Sequence, residues 1–133
     1  MAQKRIDSVI FSDLDMRFLA HPVTGALGVL TNDDAIKQAV KNTVLINKYE
    51  RLGNADNYTD TKSTLFENIG PNTTGFLRNT IIFALKNFEP RVTILDVSVI
   101  DDPTNNGVTI TIYYQGLNSI TPSSVNMFLE RVR

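Results

Sequence analysis

The sequence predicts an α+β domain: two main helices packed on a small antiparallel three-stranded sheet, with an extended N-terminal arm. Three observations predict it. Apolar residues recur at helical spacing between Asp33 and Phe88, at strand spacing after Pro90, and at no sustained spacing before Leu30. Helical segments followed by a run of strands, with no alternation between the two, is the α+β pattern. The 133 residues fit a single domain over 1–133, divided into an arm (1–30), a helical part (31–89) and a sheet part (90–133). A chain of this length can hide about two-thirds of its unfolded surface and needs no covalent staples.

The arm is dominated by turn signals, Ser12-Asp13, His21-Pro22, Thr24-Gly25 and Gly28, with at most a short strand near Ala26–Thr31. Such an arm lies either on a partner or on its own core. The first helix is expected from Asp33 to Tyr49. Thr31 and Asp34 make a capping-box-like start, and acids in the first turn suit the helix dipole. Ile36, Ala39, Val40 and Val44 form its apolar stripe, with Lys37, Gln38, Lys41 and Asn42 opposite. A polar loop, Glu50 to Lys62, and a short apolar step, Leu65-Phe66, come next. Gly70-Pro71-Asn72-Thr73-Thr74 supplies a breaker and candidate caps for a second helix from Thr74 to Asn87. Leu77, Ile81, Ala84, Leu85 and Phe88 share one face of it, and Pro90 stops it.

Beyond Pro90 the period becomes two. Leu95, Val97 and Val99 alternate with Asp96 and Ser98 in a first strand, Val92–Ile100. Asp101 to Gly107 is dense in turn residues, and Asn106-Gly107 favours positive φ. The second strand, Val108 to Gln115, places Val108, Ile110, Ile112 and Tyr114 on one face. A break containing Pro122 leads to a third, Val125 to Arg131. Charges along Val92–Val99 are few, Arg91 and Asp96, so that outer edge looks thinly guarded.

Composition excludes several functions. Without cysteine there is neither a disulfide framework nor a thiolate zinc site. A net charge of −1 with scattered signs lacks the basic stripe that neutralises phosphates, so no nucleic-acid partner is expected. No apolar run reaches the roughly 20 residues that span a bilayer, and Met1 to Asp7 is too polar for a signal peptide, so no membrane partner is expected. The single histidine, His21, precedes a proline in a loop and reads as a surface or contact residue. Asp13 with Asp15, or Asp101 with Asp102, lacks the ligand spacing of a calcium loop. No phosphate-cradling glycine loop or nucleophile elbow is present, so no cofactor, metal or catalytic residue is assigned.

Glycoside hydrolysis needs only two carboxylates, and Glu67 and Glu89 flank the second helix. A general acid wants an apolar setting that favours its protonated form, whereas Arg91 beside Glu89 favours the charged one. The more informative feature is Phe88-Glu89-Pro90-Arg91 at a helix-to-strand junction. Proline fixes the exit angle, and Glu and Arg can pair with each other or across an interface. The residues alone leave two readings, an ordinary charged helix terminus with a local ion pair, which if exposed contributes about 1 kcal/mol to folding, or a contact across an interface.

These residues carry a resemblance that runs along nearly the whole chain. Phe11-Ser12-Asp13-Leu14-Asp15, His21-Pro22-Val23-Thr24-Gly25, Ala35-Ile36, Leu65-Phe66-Glu67, Glu89-Pro90-Arg91 and Phe128-Leu129-Glu130-Arg131 stand in that order. In order, spacing and total length the chain resembles the short baseplate wedge subunits of contractile phage tails, the sheath initiators. That family was formerly labelled phage acidic lysozyme and has a type VI secretion counterpart.

The resemblance implies a structural, non-enzymatic virion protein of the tail baseplate, present in the host cytoplasm during assembly. It implies larger wedge proteins, the tail sheath protein and tail tube or hub proteins as partners. Leu65, Phe66, Glu89, Pro90 and Arg91 are the expected interface, and sheath growth would begin by strand addition to an outer strand. The alternatives are a peptidoglycan-degrading lysozyme and a subunit of the type VI apparatus. One departure is local. The family carries an aromatic–proline–Phe/Leu–Gly pattern after the position of Arg51, where this chain has Leu52-Gly53-Asn54-Ala55-Asp56-Asn57-Tyr58.

Overall fold

The computed structural model describes residues 11–47, 50, 52, 53, 59, 61, 63, 71–117 and 119–131. In chain order these give β1 (Ser12–Leu14), β2 (Val29–Thr31), α1 (Asn32–Leu45), α2 (Pro71–Phe88), β3 (Val92–Asp102), β4 (Gly107–Gly116) and β5 (Ser123–Glu130). The fold is α+β with two antiparallel sheets: a pair β1-β2, and an open meander β3-β4-β5. Helix α2 packs along β3, α1 packs against β5, and the two helices touch. Between helices and meander lies one core, built from Ile36, Val40 and Val44, from Leu77, Ile81 and Leu85, and from the inward faces of the three strands.

The region expected as an extended arm is folded from Phe11 onward. Strands β1 and β2 pair from Ser12 with Thr31 to Leu14 with Val29, and Ala20 bridges Leu27 further out. The hairpin is held by backbone pairing and a few polar side chains. It therefore leaves no apolar period in the sequence, and β1 went unanticipated.

Helix α1 is shorter than expected. It stops at Leu45, with Ile46 already extended (ψ 126°), and Tyr49 lies outside the described residues. The Thr59 and Thr61 hydroxyls both donate to the Val44 carbonyl, at 2.5 and 2.9 Å, and satisfy an acceptor that another helical turn would have used. At the other end Thr31 is extended (φ −126°) but its side chain makes no capping bond. Thr31 is paired with Ser12 in β2, and Asn32, at φ +48°, turns the chain instead. Helix α2 begins earlier than expected, at Pro71, where a missing N–H leaves no bond unmade.

The meander follows the predicted order, and β4 buries Val108, Ile110, Ile112 and Tyr114. In β3 the expected face is corrected. A bulge falls between Ile94 and Asp96, so Ile94 pairs with Tyr114 and Asp96 with Tyr113. Leu95 is the extra residue and is half exposed. The bulge shifts the parity. Val92 before it and Val97 after it therefore both face the core, although five positions apart.

At the β3–β4 turn Asn106 takes the positive φ (+52°), and Gly107 opens β4 beneath the Phe128 ring. A Cβ on Gly107 would come within 2.5 Å of the Leu129 carbonyl oxygen and run into that ring. Gly107→Ala is therefore expected to destabilise the fold by about 1–3 kcal/mol, as overpacking does. Thermal unfolding of the variant checks this, with an unchanged midpoint as the contrary result.

Candidate assembly interface

Phe88 closes α2, Val92 opens β3, and three residues make the corner between them. The Glu89 N–H continues the helix to the Leu85 carbonyl (3.0 Å), while the Arg91 carbonyl accepts from Leu117 N–H (3.0 Å) beyond the end of β4. Between these anchors Arg91 Nε bonds Glu89 Oε1 at 2.6 Å and Nη2 bonds Oε2 at 3.0 Å. The pair is not an exposed one. The Glu89 side chain is 8% exposed and that of Arg91 26%. Bonding to the Glu89 carboxylate, helped by the nearby charge of Asp13, raises the Arg91 pKa further above its ordinary value.

The guanidinium also lies over the Phe11 ring, 5.4 Å from its centre. Phe11 is clipped in turn by Asn32, whose N–H donates to the Phe11 carbonyl (2.8 Å) and whose Oδ1 accepts the Phe11 N–H (3.3 Å). The corner thus holds the root of the N-terminal hairpin. Gln38 of α1 holds it a second time: its amide nitrogen donates to the Leu14 carbonyl (2.8 Å) and its amide oxygen accepts from Met16 N–H (3.0 Å). Buried Asp15 fixes the next turn by binding the Arg17 guanidinium and its backbone N–H.

Held this way, the hairpin presents apolar side chains to solvent. Met16, Phe18, Leu19, Val23, Leu27 and Val29 are 50% to 86% exposed. Phe18 has φ +53°, a left-handed conformation unfavourable for a bulky residue, stabilised by its N–H bond to the Asp15 carbonyl (3.0 Å). Exposed apolar side chains gathered on one hairpin make it the candidate contact surface.

The two outer edges of the meander differ. At Val97, on β3, the N–H donates to Asp96 Oδ1 (2.8 Å) and the carbonyl accepts from Arg78 Nε (2.8 Å). Arg78 Nη2 bonds the same Asp96 oxygen at 2.9 Å. The middle of this edge is therefore closed by side chains, one of them from α2, and is better guarded than its own sequence suggested. On the β5 side a trough of about 510 Å³ opens between β5, α1 and the hairpin.

The expected interface residues separate. Glu89, Pro90 and Arg91 form the corner just described, with Pro90 exposed; Leu65 and Phe66, and likewise Glu67, lie outside the described residues. His21 is a turn residue, its Nδ1 accepting the N–H groups of Val23 and Thr24 at 3.2 Å. Asp102 accepts two bonds from Asn105. Among the described residues no three His, Asp or Glu side chains gather to hold a metal ion, and no helix is long and apolar enough to cross a membrane. Sequence reasoning missed Gln38, the Asp15–Arg17 pair and the Arg78–Asp96 pair. The second repeats the acid-x-Arg spacing of Glu89-Pro90-Arg91 and was open to discovery; the third joins positions on separate elements and was not.

Two measurements follow from this geometry. Arg91→Ala leaves the buried Glu89 carboxylate unpartnered and frees Phe11, so it should destabilise the fold by about 1–3 kcal/mol. Thermal unfolding at neutral pH tests it, and an unchanged midpoint would show that the corner is dispensable. The second concerns pH. Bonds from Arg17, its side chain first, lower the Asp15 pKa, and bonds from Arg78 and then Val97 lower that of Asp96. A depressed carboxylate contributes stability above its unfolded value, about 3.9, and loses it as pH falls through the lower folded value. Amide protection in the hairpin should therefore fall below about pH 4. Asp15→Asn should show the weakened protection already at neutral pH.

No protein-family model matches the chain, and no curated protein matches it. Among solved structures, a Geobacter sulfurreducens protein provisionally described as a tail lysozyme superposes with a TM-score of 0.73 at 19% identity, covering 81% of this chain and 98% of that one. A chain from the baseplate of the anti-feeding prophage matches with a TM-score of 0.63 at 15% identity, covering 92% of this chain and 87% of that one. At these identities the likeness is one of fold.

Proposed function

We propose that this chain is a structural subunit of the baseplate of a contractile phage tail, a wedge component that starts sheath assembly. The observation that carries the reading is the apolar hairpin: six large side chains at least half exposed on one rigidly anchored unit. An isolated catalyst has no use for such a surface, whereas a subunit buried among neighbours does. The fold shared with a chain of the anti-feeding prophage baseplate supports it, as does the motif order from Phe11 to Arg131.

In this reading the larger wedge proteins cover the hairpin and the exposed Pro90, with Leu65 and Phe66 as further contacts and tail tube or hub proteins nearby. Glu89 and Arg91 serve the contact indirectly, by holding the hairpin in one orientation. The sheath protein joins the meander by strand addition, in which main-chain bonds give affinity and alternate side chains give register. The mature location is the virion baseplate, after assembly in the host cytoplasm.

The enzymatic alternative takes its interest from the description of the Geobacter protein as a tail lysozyme. Against it, both oxygens of Glu89 are bonded by Arg91 and the side chain is nearly buried, so neither oxygen faces a substrate. The type VI alternative differs only in the particle joined.

Phe18→Asp tests the structural reading. Phe18 is exposed, so the variant should fold, while loss of a central anchor costs about 2 kcal/mol or more of binding, roughly thirtyfold. Tails assembled with it should lack the subunit; normal tails would overturn the proposal. Purified protein should leave peptidoglycan intact beside an active control. Turnover that disappears in Glu67→Gln or Glu89→Gln would make the chain an enzyme.

A further inference from the structure

We infer that strand addition to this sheet is one-sided: an extended segment of another chain, carrying acidic side chains, joins β5 and not β3. The inference rests on the strand-addition reading above and narrows it to one edge and one chemistry.

The edge of β3 is blocked at its middle, at Val97. A strand arriving there would have to displace both Arg78 and Asp96 from the Val97 backbone and separate them from each other. In a ladder, a residue turns its N–H and C=O to the same side, and successive residues alternate. Val97 spends both groups on side chains, so they face away from β4. Ile112, opposite Val97, then turns its own toward Val125 of β5, and Ile110 toward Met127. Ser124, Asn126 and Phe128 are left directing theirs outward. Among the described residues no side chain bonds to the backbone of these three. Among the described residues β5 is the edge with no such block.

Its surroundings select the occupant. Val125 and Asn126 form one wall of the trough, and Lys37 and Lys41, one turn apart on α1, stand on another. Arg17 in the same trough is held by Asp15, with Asp34 nearby. Lys37 and Lys41 have no carboxylate partner among the described residues. With Asp15 and Asp34 set against Arg17, Lys37 and Lys41, the trough keeps one net positive charge beside an unpaired edge, which suits a segment that alternates acidic with apolar side chains.

The test is amide exchange on the intact chain with two ten-residue peptides, one alternating valine with glutamate, the other valine with lysine. The glutamate peptide should slow exchange over Ser123–Glu130 and leave Val92–Asp102 unchanged. The lysine peptide should bind at least about tenfold more weakly, and Lys37→Glu with Lys41→Glu should reverse the preference. Asn126→Pro removes one outward N–H and no ladder bond, so it should fold yet lose the protection. Slowed exchange along β3 overturns the one-sided claim. Equal affinity for both peptides overturns the acidic occupant while leaving strand addition standing. No slowing by either peptide overturns strand addition as well. Protection of β5 that grows with protein concentration alone overturns the inference in favour of a second copy.

Discussion

Arg91 is the constraint on which the rest of the surface depends. Its guanidinium is bonded on one side to a nearly buried carboxylate and faces an aromatic ring from the N-terminal hairpin on the other. Helix α2, strand β3 and the hairpin therefore meet at a single planar cation. Lysine could supply the charge but not the fork that engages both Glu89 oxygens, nor the flat face that covers Phe11. Pro90 between the two charged residues restricts the backbone so that side chains two positions apart turn toward each other. The apolar hairpin is presented in a fixed direction because of this joint, with Gln38 as a second support.

Elements built by side-chain burial were legible. The stripe Leu77, Ile81, Leu85 and the alternation Val108, Ile110, Ile112 place their helix and strand directly, because burying them against one core imposes a period. Elements built by backbone pairing and polar side chains were not. Asp15, Asn32 and Gln38 assemble the hairpin without periodicity. The bulge at Leu95 defeated a pattern that looked regular, since Leu95, Val97 and Val99 alternate in the sequence but not in space. Of the site, Glu89-Pro90-Arg91 was visible as a motif, while its partner Phe11 and its internal role were not. An acid and an arginine two apart can close on each other or reach outward, and only the packing around them decides.

The two sheet edges show how a small protein can be both monomer-safe and receptive. A meander has two unpaired margins, each a template for uncontrolled association. Here the margin next to α2 is blocked at Val97 by a helix residue, and the margin next to α1 carries no such bond among the described residues, beside a charged trough. The proposed strand addition to β5 would use this difference between the margins.

The separation of Phe11 from Arg91 has a consequence for synthesis. The hairpin leaves the ribosome first, but the residue that secures it follows eighty positions later. At about 5–20 residues per second, Phe11 waits roughly 4–16 s for its cation. The meander, joined by short local connections, can close as soon as it emerges. For that interval nascent chains carry the apolar hairpin without its Arg91 anchor. Until Arg91 appears, that segment is open to chaperones and to neighbouring chains on the same message.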